Sequence, residues 1–471
     1  MSDEIAYKTA TALAACYREK TLSPVEVTRA TLDRIAAHQA TLNAFCLVDE
    51  ASALAEARAS EERWFKGEPL SPLDGIPTSI KDIIITKGWP TLRGSKTIDP
   101  NQPWEEDGPC VARLREQGVV LVGKTTTPEF AAKGVTDSPL TGITRNPWNT
   151  DLTPGGSSGG AGAAVAAGLC HLAVGTDAGG SIRIPSSFSG VFGHKPSYGR
   201  VPVYPLTPFA PFAGIGPMTR AVEDAALMLN AMSRPDPRDW NALPYDGRDF
   251  LEGLDDGVAG LRVAFSPTFG YAKVDPEVAA VVAGAVGVFG ELGAAVEQKD
   301  PGFENPEGIR RALWRGLTAV AFKNMPPEKI ALLDPVLAES VAESREASLM
   351  EYLEADLARA ALGKYMLGFH QHYDLLLTPT LAVPPFPVGR ITPDETKWPS
   401  TMDWNPFTFP FNLTRQPAAS VPCGFTAAGL PVGLQIVGPI YGDALVLRAA
   451  RAFEMAKPWQ GRRPPLSGIS R

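Results

Sequence analysis

Gly155-Gly156-Ser157-Ser158-Gly159-Gly160, followed by Gly175-Thr176-Asp177-Ala178-Gly179-Gly180-Ser181, is the part of this sequence that decides the fold. Ser157 and Ser181 stand 24 positions apart, each in a glycine-rich loop. Glycine lets a backbone turn sharply and approach a ligand closely. It also leaves amide N–H groups uncovered, able to hold an anion or a developing oxyanion. Two serines in two such loops point to chemistry rather than to a pair of turns. Residues 161–167 read as a small-residue helix leaving the first loop, and Leu172-Ala173-Val174 as the strand that delivers the second.

The same alternation extends in both directions. Ser23-Pro24-Val25-Glu26 is a helix start, with serine as cap, proline in the first turn and Glu26 closing a capping box. Phe45-Cys46-Leu47-Val48 reads as a strand, residues 111–117 as a helix stopped by Gly118, and Val119-Val120-Leu121-Val122 as a buried strand. Later strands are expected at 261–265, 375–377 and 434–437. Strands alternating with helices predict an α/β fold: one compact domain with a central twisted mixed β-sheet and helices on both faces. The expected domain covers 1–471, with an N-terminal helical region at about 1–65, a catalytic core at about 66–235 and a C-terminal pocket-shaping part at about 260–460. The polar, turn-rich stretch 235–260 separates the last two, and the Pro-rich stretch 381–399 reads as a long surface loop.

Composition narrows the function. The 471 residues carry a net charge of −8, which argues against nucleic acid as a partner, since that needs a basic face. The five cysteines (Cys16, Cys46, Cys110, Cys170, Cys423) are scattered, odd in number and without C-x-x-C spacing. Neither a disulfide scaffold nor a zinc site is expected, and a reducing compartment fits. Met-Ser-Asp-Glu-Ile at the N-terminus lacks the basic and apolar regions of a signal peptide. The longest apolar helix-like run, 278–290, is too short to span a bilayer. The expectation is a cytoplasmic protein without a membrane partner.

Gly75-Ile76-Pro77-Thr78-Ser79-Ile80-Lys81-Asp82 brings a lysine out of a short apolar run, with Ile83, Ile84 and Ile85 beyond it. Burial disfavours the ammonium and lowers its pKa. To serve as a base at neutral pH, a lysine must come down from about 10.4 to about 7, which is roughly 4 to 5 kcal/mol of environment.

These segments resemble the amidase signature family. Further matches are Gly123-Lys124-Thr125, Arg145-Asn146-Pro147-Trp148, residues 175–185, Lys195-Pro196 with Tyr198-Gly199-Arg200, Thr378-Pro379-Thr380, Pro422-Cys423-Gly424 and Gly433-Leu434-Gln435. The likeness runs from about residue 75 to about 438. It implies a Ser–cis-Ser–Lys triad: Ser181 as nucleophile, Ser157 as bridging serine after a cis peptide bond, and Lys81 as base. It implies an oxyanion hole from the N–H groups of Ala178, Gly179, Gly180 and Ser181, with Ser158 as a supporting donor and Asp177 paired to Arg183 as a brace. The reaction it implies is amide hydrolysis through an acyl-serine, with a small-molecule amide and water as partners and no metal or organic cofactor. The oligomeric state is left open, a homodimer included.

Aromatics in the loops that the family places around its pocket favour an apolar or aryl acyl group. Tyr204, Trp404 and Phe407, with Thr127, are the pocket candidates, although core packing explains any one aromatic alone. The alternative is the amidase-like subunit of a glutamine-dependent tRNA amidotransferase. Proteins of that kind usually carry an acidic residue near the position of Asn405, whose absence argues against glutamine, and a carboxylate-binding arginine near Arg359. Carbamates, hydrazides, ureas and esters share the acyl chemistry and stay open as substrates.

Three other motifs are set aside. Residues 118–125 match G-x-x-x-x-G-K-[ST], but the middle reads as a buried strand, not an open phosphate loop. Residues 155–159 match the G-x-S-x-G elbow, but 149–154 reads as a loop where an elbow needs a strand. His370 and His372, near Asp374, lie two positions apart and so do not share a helix face for a metal.

Overall fold

Apolar side chains on both sides of a strand call for cover on both faces of its sheet. That is the pattern in the computed structural model, which describes residues 2–466. Met1, the start of the N-terminal stretch read above, lies outside them. The strands are β1 (Phe45–Val48), β2 (Pro77–Lys81), β3 (Val120–Thr125), β4 (Asp137–Ser138), β5 (Gly142–Ile143), β6 (Leu172–Asp177), β7 (Phe192–Lys195), β8 (Gly214–Thr219), β9 (Arg262–Phe265), β10 (Ala295–Gln298), β11 (Leu375–Pro379), β12 (Ala418–Phe425) and β13 (Pro431–Val437). β4 and β5 pair with each other. The others form one eleven-stranded sheet in the order β1-β3-β2-β6-β8-β7-β12-β13-β11-β9-β10. It is mixed: β2 runs parallel to β3 and β6, and β9 parallel to β10 and β11, while the strands between pair antiparallel.

Alternation along each strand divides the core. Leu172 and Val174 enter one cluster with Ile76, Ile80, Leu375 and Leu377, which the helices Val222–Met232, Pro276–Glu291 and Asp443–Ala456 cover. Ala173 faces the other side, under the helix Gly159–Ala166. Ala264, Leu376 and Val437 face that side farther along, under a cluster rich in phenylalanine. The single α/β domain with a helix-flanked mixed sheet is therefore the architecture expected from the sequence.

The capping box at Ser23 forms as read: the Glu26 N–H donates to Ser23 Oγ at 3.2 Å, and the Ser23 N–H donates to Glu26 Oε2 at 2.8 Å. The 111–117 segment is the helix Pro109–Glu116, and Gly118 turns out of it at φ +82°. The long apolar run is the helix Pro276–Glu291. Among the described residues no helix is long and apolar enough to cross a membrane.

Two features differ from the sequence reading. β4, β5, β7, β8, β10 and β12 were not anticipated. β8 reads Gly-Ile-Gly-Pro-Met-Thr and β12 contains Pro422 and Gly424, residues that weaken a strand signal. Pairing on both sides overrides that local preference. The 381–399 stretch is also not wholly a surface loop. Leu381, Ala382, Val383 and Phe386 are buried in the phenylalanine-rich cluster. The Phe386 carbonyl accepts the Thr153 N–H at 2.8 Å, so this stretch backs the approach to the Ser157 loop.

Leu376, with no solvent exposure, packs on the second face. Leu376→Ala is expected to cost about 2 to 5 kcal/mol of stability by chemical denaturation. A loss under about 1 kcal/mol would contradict the two-faced core.

Candidate active site

Three segments meet on the second face of the sheet. Lys81 ends β2, where alternation turns Ile80 into the first core and Lys81 away from it. Its side chain is fully buried between the loops. Nζ donates to Ser157 Oγ at 2.7 Å and to Thr176 Oγ1 at 2.8 Å. Burial drives the Lys81 pKa well below the ordinary lysine value, and the nearby Asp177 carboxylate offsets only part of this.

The Ser157 loop is held by its own backbone. The Gly156–Ser157 peptide bond is cis, as the family likeness implied. A Cβ on Gly156 would sit 2.7 Å from the Val135 carbonyl, so no larger residue fits without a shift. Thr136 Oγ1 donates to the Gly155 carbonyl at 2.8 Å and accepts the Gly159 N–H at 3.2 Å. Ser158 ties this loop to the next. Its hydroxyl donates to the Thr176 carbonyl and accepts the Thr176 N–H, both at 3.2 Å. Its N–H donates to the Ser181 carbonyl at 3.1 Å.

The Ser181 loop is organised by Asp177 and Arg183, both without solvent exposure. Arg183 Nε donates to Asp177 Oδ2 and Nη2 to Oδ1, each at 2.9 Å. Asp177 Oδ2 also accepts the Ile182 N–H at 3.1 Å. Burial alone would raise the Asp177 pKa, but the Arg183 guanidinium overrides it and holds the carboxyl well below the usual range. Arg183 in turn donates through Nη1 to the Thr408 carbonyl and Gln435 Oε1, both at 2.8 Å, and through Nη2 to Asn412 Oδ1 at 2.6 Å. Asn412 Nδ2 returns to Asp177 Oδ1 at 2.9 Å.

The expected oxyanion donors divide. The Gly180 N–H, anticipated among them, is committed to Asp177 Oδ1 at 2.7 Å. Among the described residues, those of Ala178, Gly179 and Ser181 have no acceptor within the chain. Gly180 itself adopts φ +129°, a conformation open to glycine. Ser181 is the partly exposed member, and no hydrogen bond joins its hydroxyl to Ser157 among the described residues.

The pocket candidates do not gather here. Trp404 and Phe407 have no solvent exposure. Trp404 stacks on Phe188 at 5.9 Å and Phe407 packs on Phe269 at 5.0 Å, so core packing claims both. Thr127 is fully buried, its hydroxyl donating to the Pro128 carbonyl at 3.2 Å. Tyr204 is half-buried beneath the Arg238 guanidinium at 4.7 Å. Phe212 lies closer to the loop. Its carbonyl accepts from Asn412 Nδ2 at 3.2 Å, and its ring meets Trp314 at 5.6 Å. A cleft of about 340 Å³ is lined by Arg359, His370 and Arg415 and holds none of the three triad candidates.

The discarded motifs resolve as structure. Lys124 is buried in β3 and pairs with Asp82 at 3.2 Å. Residues 149–154 enter the Ser157 loop without a strand. His370 Nδ1 faces the Tyr373 carbonyl at 3.0 Å. Sequence reading passed over Thr176, Asn412 and Thr408. Thr176 alone left a signal, one step before Asp177. Thr408 Oγ1 lies 2.7 Å from the Gly179 carbonyl, more than two hundred residues away in sequence, and 2.7 Å from Asn405 Oδ1, its one proton serving one of the two.

Comparison with known proteins agrees with the fold. The Amidase family model matches residues 26–447. An acylamidase of Rhodococcus erythropolis is 39% identical over 469 residues, covering 97% of this chain and 96% of that protein. A glutamyl-tRNA(Gln) amidotransferase subunit from Geobacter sp. (strain M21) is 35% identical over 477 residues, covering 95% and 97%. The crystal structure of a bacterial aryl acylamidase of the amidase signature family superposes with TM-score 0.89 at 33% identity, covering 97% of each chain.

Arg183→Met leaves Asp177 buried without its partner, and the expected loss is about 3 to 5 kcal/mol at pH 7. The depressed carboxyl stabilises the native protein above the unfolded carboxylate pKa of about 3.9, and that contribution fades as pH falls below it. Urea midpoints at pH 7 and pH 3 should therefore differ less in the variant than in the wild type. Equal pH sensitivity would refute the brace.

Proposed function

The chain belongs to the amidase family, and on that premise we propose that its reaction runs through an acyl-Ser181 intermediate, with Ser157 and Lys81 as proton relay. One observation carries the reading: a fully buried Lys81 Nζ at 2.7 Å from Ser157 Oγ. A serine hydroxyl is a poor nucleophile until a base removes its proton. Burial leaves Lys81 disposed to be neutral, and so able to accept one. As substrate seats, the Ser181 hydroxyl turns onto Ser157. Its proton passes to Ser157 Oγ while the Ser157 proton passes to Lys81 Nζ, and Ser181 Oγ bonds to the amide carbonyl carbon.

The tetrahedral oxyanion then needs donors that are not already spent. The N–H groups of Ala178, Gly179 and Ser181 meet that requirement, and one such donor is worth about 2.7 to 4 kcal/mol of barrier. Collapse breaks the C–N bond, with the relayed proton returning through Ser157 to the leaving amine. Water then attacks the acyl-enzyme by the same relay and releases the acid. No metal or organic cofactor enters any step.

For the acyl group we favour an apolar or aryl chain. Phe209, Phe212 and Trp314 form a partly buried aromatic group, and Phe212 is joined through Asn412 to the Ser181 loop. The acylamidase relative and the aryl acylamidase structure support an amide as substrate. A second reading, in which the chain serves a partner within an amidotransferase, draws on the 35% identical relative of that kind. Against it stands Asn405, whose Nδ2 donates to the Gly179 carbonyl at 3.3 Å where an acidic residue could not. Glutaminase activity of the isolated chain would favour that second reading.

Ser181→Ala should abolish amide turnover, and Lys81→Ala should lower it at least about 10²-fold. More than a tenth of wild-type activity in either variant contradicts the assigned roles. In the wild type, kcat/KM should fall on the acid side as Lys81 takes up a proton. Across a panel of amides, aryl or longer acyl chains should be cleaved faster than acetamide, and the reverse order would sink the aromatic pocket.

A further inference from the structure

A surface helix normally turns a polar face to water. The helix Leu349–Phe369 buries Ala355, Leu362 and Met366 against the protein, yet its opposite face also carries large apolar side chains. Met350, Glu354, Leu357, Ala361, Lys364 and Gly368 are all exposed on it, with Met350 at 63% and Leu357 at 73%. Their spacing alternates four and three residues, the rhythm of a helix–helix seam. Leu349, Leu353 and Leu367, also exposed, widen the apolar stripe.

The six positions are also symmetric about Arg359. Leu357 mirrors Ala361, Glu354 mirrors Lys364, and Met350 mirrors Gly368. Each large residue is matched with a small one, and the single acid with the single base. The other charges of this helix are already engaged, Glu351 with Arg315 at 3.0 Å and Asp356 with Arg359 at 2.6 Å. Among the described residues Glu354 and Lys364 have no ion-pair partner within the chain.

We propose that this face docks a second copy of the chain, the two helices antiparallel across a twofold axis at Arg359. A twofold contact uses the same patch on both copies. Here Leu357 of one copy seats over Ala361 of the other, Met350 over Gly368, and Glu354 meets Lys364 twice. A parallel arrangement would set Glu354 on Glu354 and Lys364 on Lys364, which like-charge repulsion opposes.

Sedimentation velocity of the full chain tests this. The wild type should sediment as a dimer, twice 50.2 kDa, at micromolar concentration. Leu357→Glu should give a monomer that keeps the wild-type circular dichroism spectrum and amide turnover, melting lower only by the association energy lost. Glu354→Lys and Lys364→Glu should each weaken the dimer about tenfold or more in Kd, and the double variant should recover most of that loss. Three outcomes would overturn the proposal. One is a wild type that stays monomeric at about 100 μM, including one that instead binds phosphatidylcholine–phosphatidylglycerol vesicles through this face. Another is a dimer indifferent to Leu357→Glu. The third is a double swap no tighter than the single variants.

Discussion

A carboxylate and a guanidinium, both sealed from water, set the shape of the candidate site. Asp177 and Arg183 satisfy each other with two parallel hydrogen bonds, and every remaining polar atom of the pair is used on something else. A buried ion pair stays favourable when such additional bonds compensate for lost hydration. The consequence is positional. Asp177 captures the N–H groups of Gly180, Ile182 and Arg183, and the first two bracket Ser181. Ser181 is left partly exposed, with its amide free of any acceptor among the described residues.

The pair also joins the two halves of the chain. Asp177 ends β6 in the N-terminal half of the sheet, while Thr408, Asn412 and Gln435 come from the C-terminal half. The halves already meet where β7 pairs with β12. Arg183 adds a polar junction at that seam, so the Ser181 loop is anchored to segments that are remote in sequence. Lys81 experiences the opposite environment. It gains two hydroxyl acceptors, Ser157 and Thr176, with Asp177 as the nearby charge, so burial dominates its titration.

Much of the fold was legible locally. The Ser23 capping box, the Gly118 helix stop and the apolar strands β3, β6, β9, β11 and β13 each rest on a few adjacent residues. β8 and β12 were not legible, because glycine and proline hide a strand whose stability comes from both neighbours. The candidate triad was legible from two glycine-rich loops and an isoleucine-flanked lysine. The pocket was not. Trp404 and Phe407 have the composition of a pocket wall, but they fill space between elements and pack on Phe188 and Phe269. An aromatic side chain looks the same in sequence whether it lines a cavity or closes one.

Residue identity alone determined which groups could do chemistry here: a lysine bound for the interior, two serines on glycine loops, and an acid and an arginine six positions apart. Those follow from side-chain type, local turn preference and apolar spacing, all of which act over a few residues. Only the folded chain decided which hydrogen-bond donors remained free. The Gly180 amide was lost to Asp177, and Thr408, Asn412 and Gln435 were recruited from far downstream. Hydrogen bonds are settled by distances of about 3 Å, and the sequence does not fix which distant segments come that close.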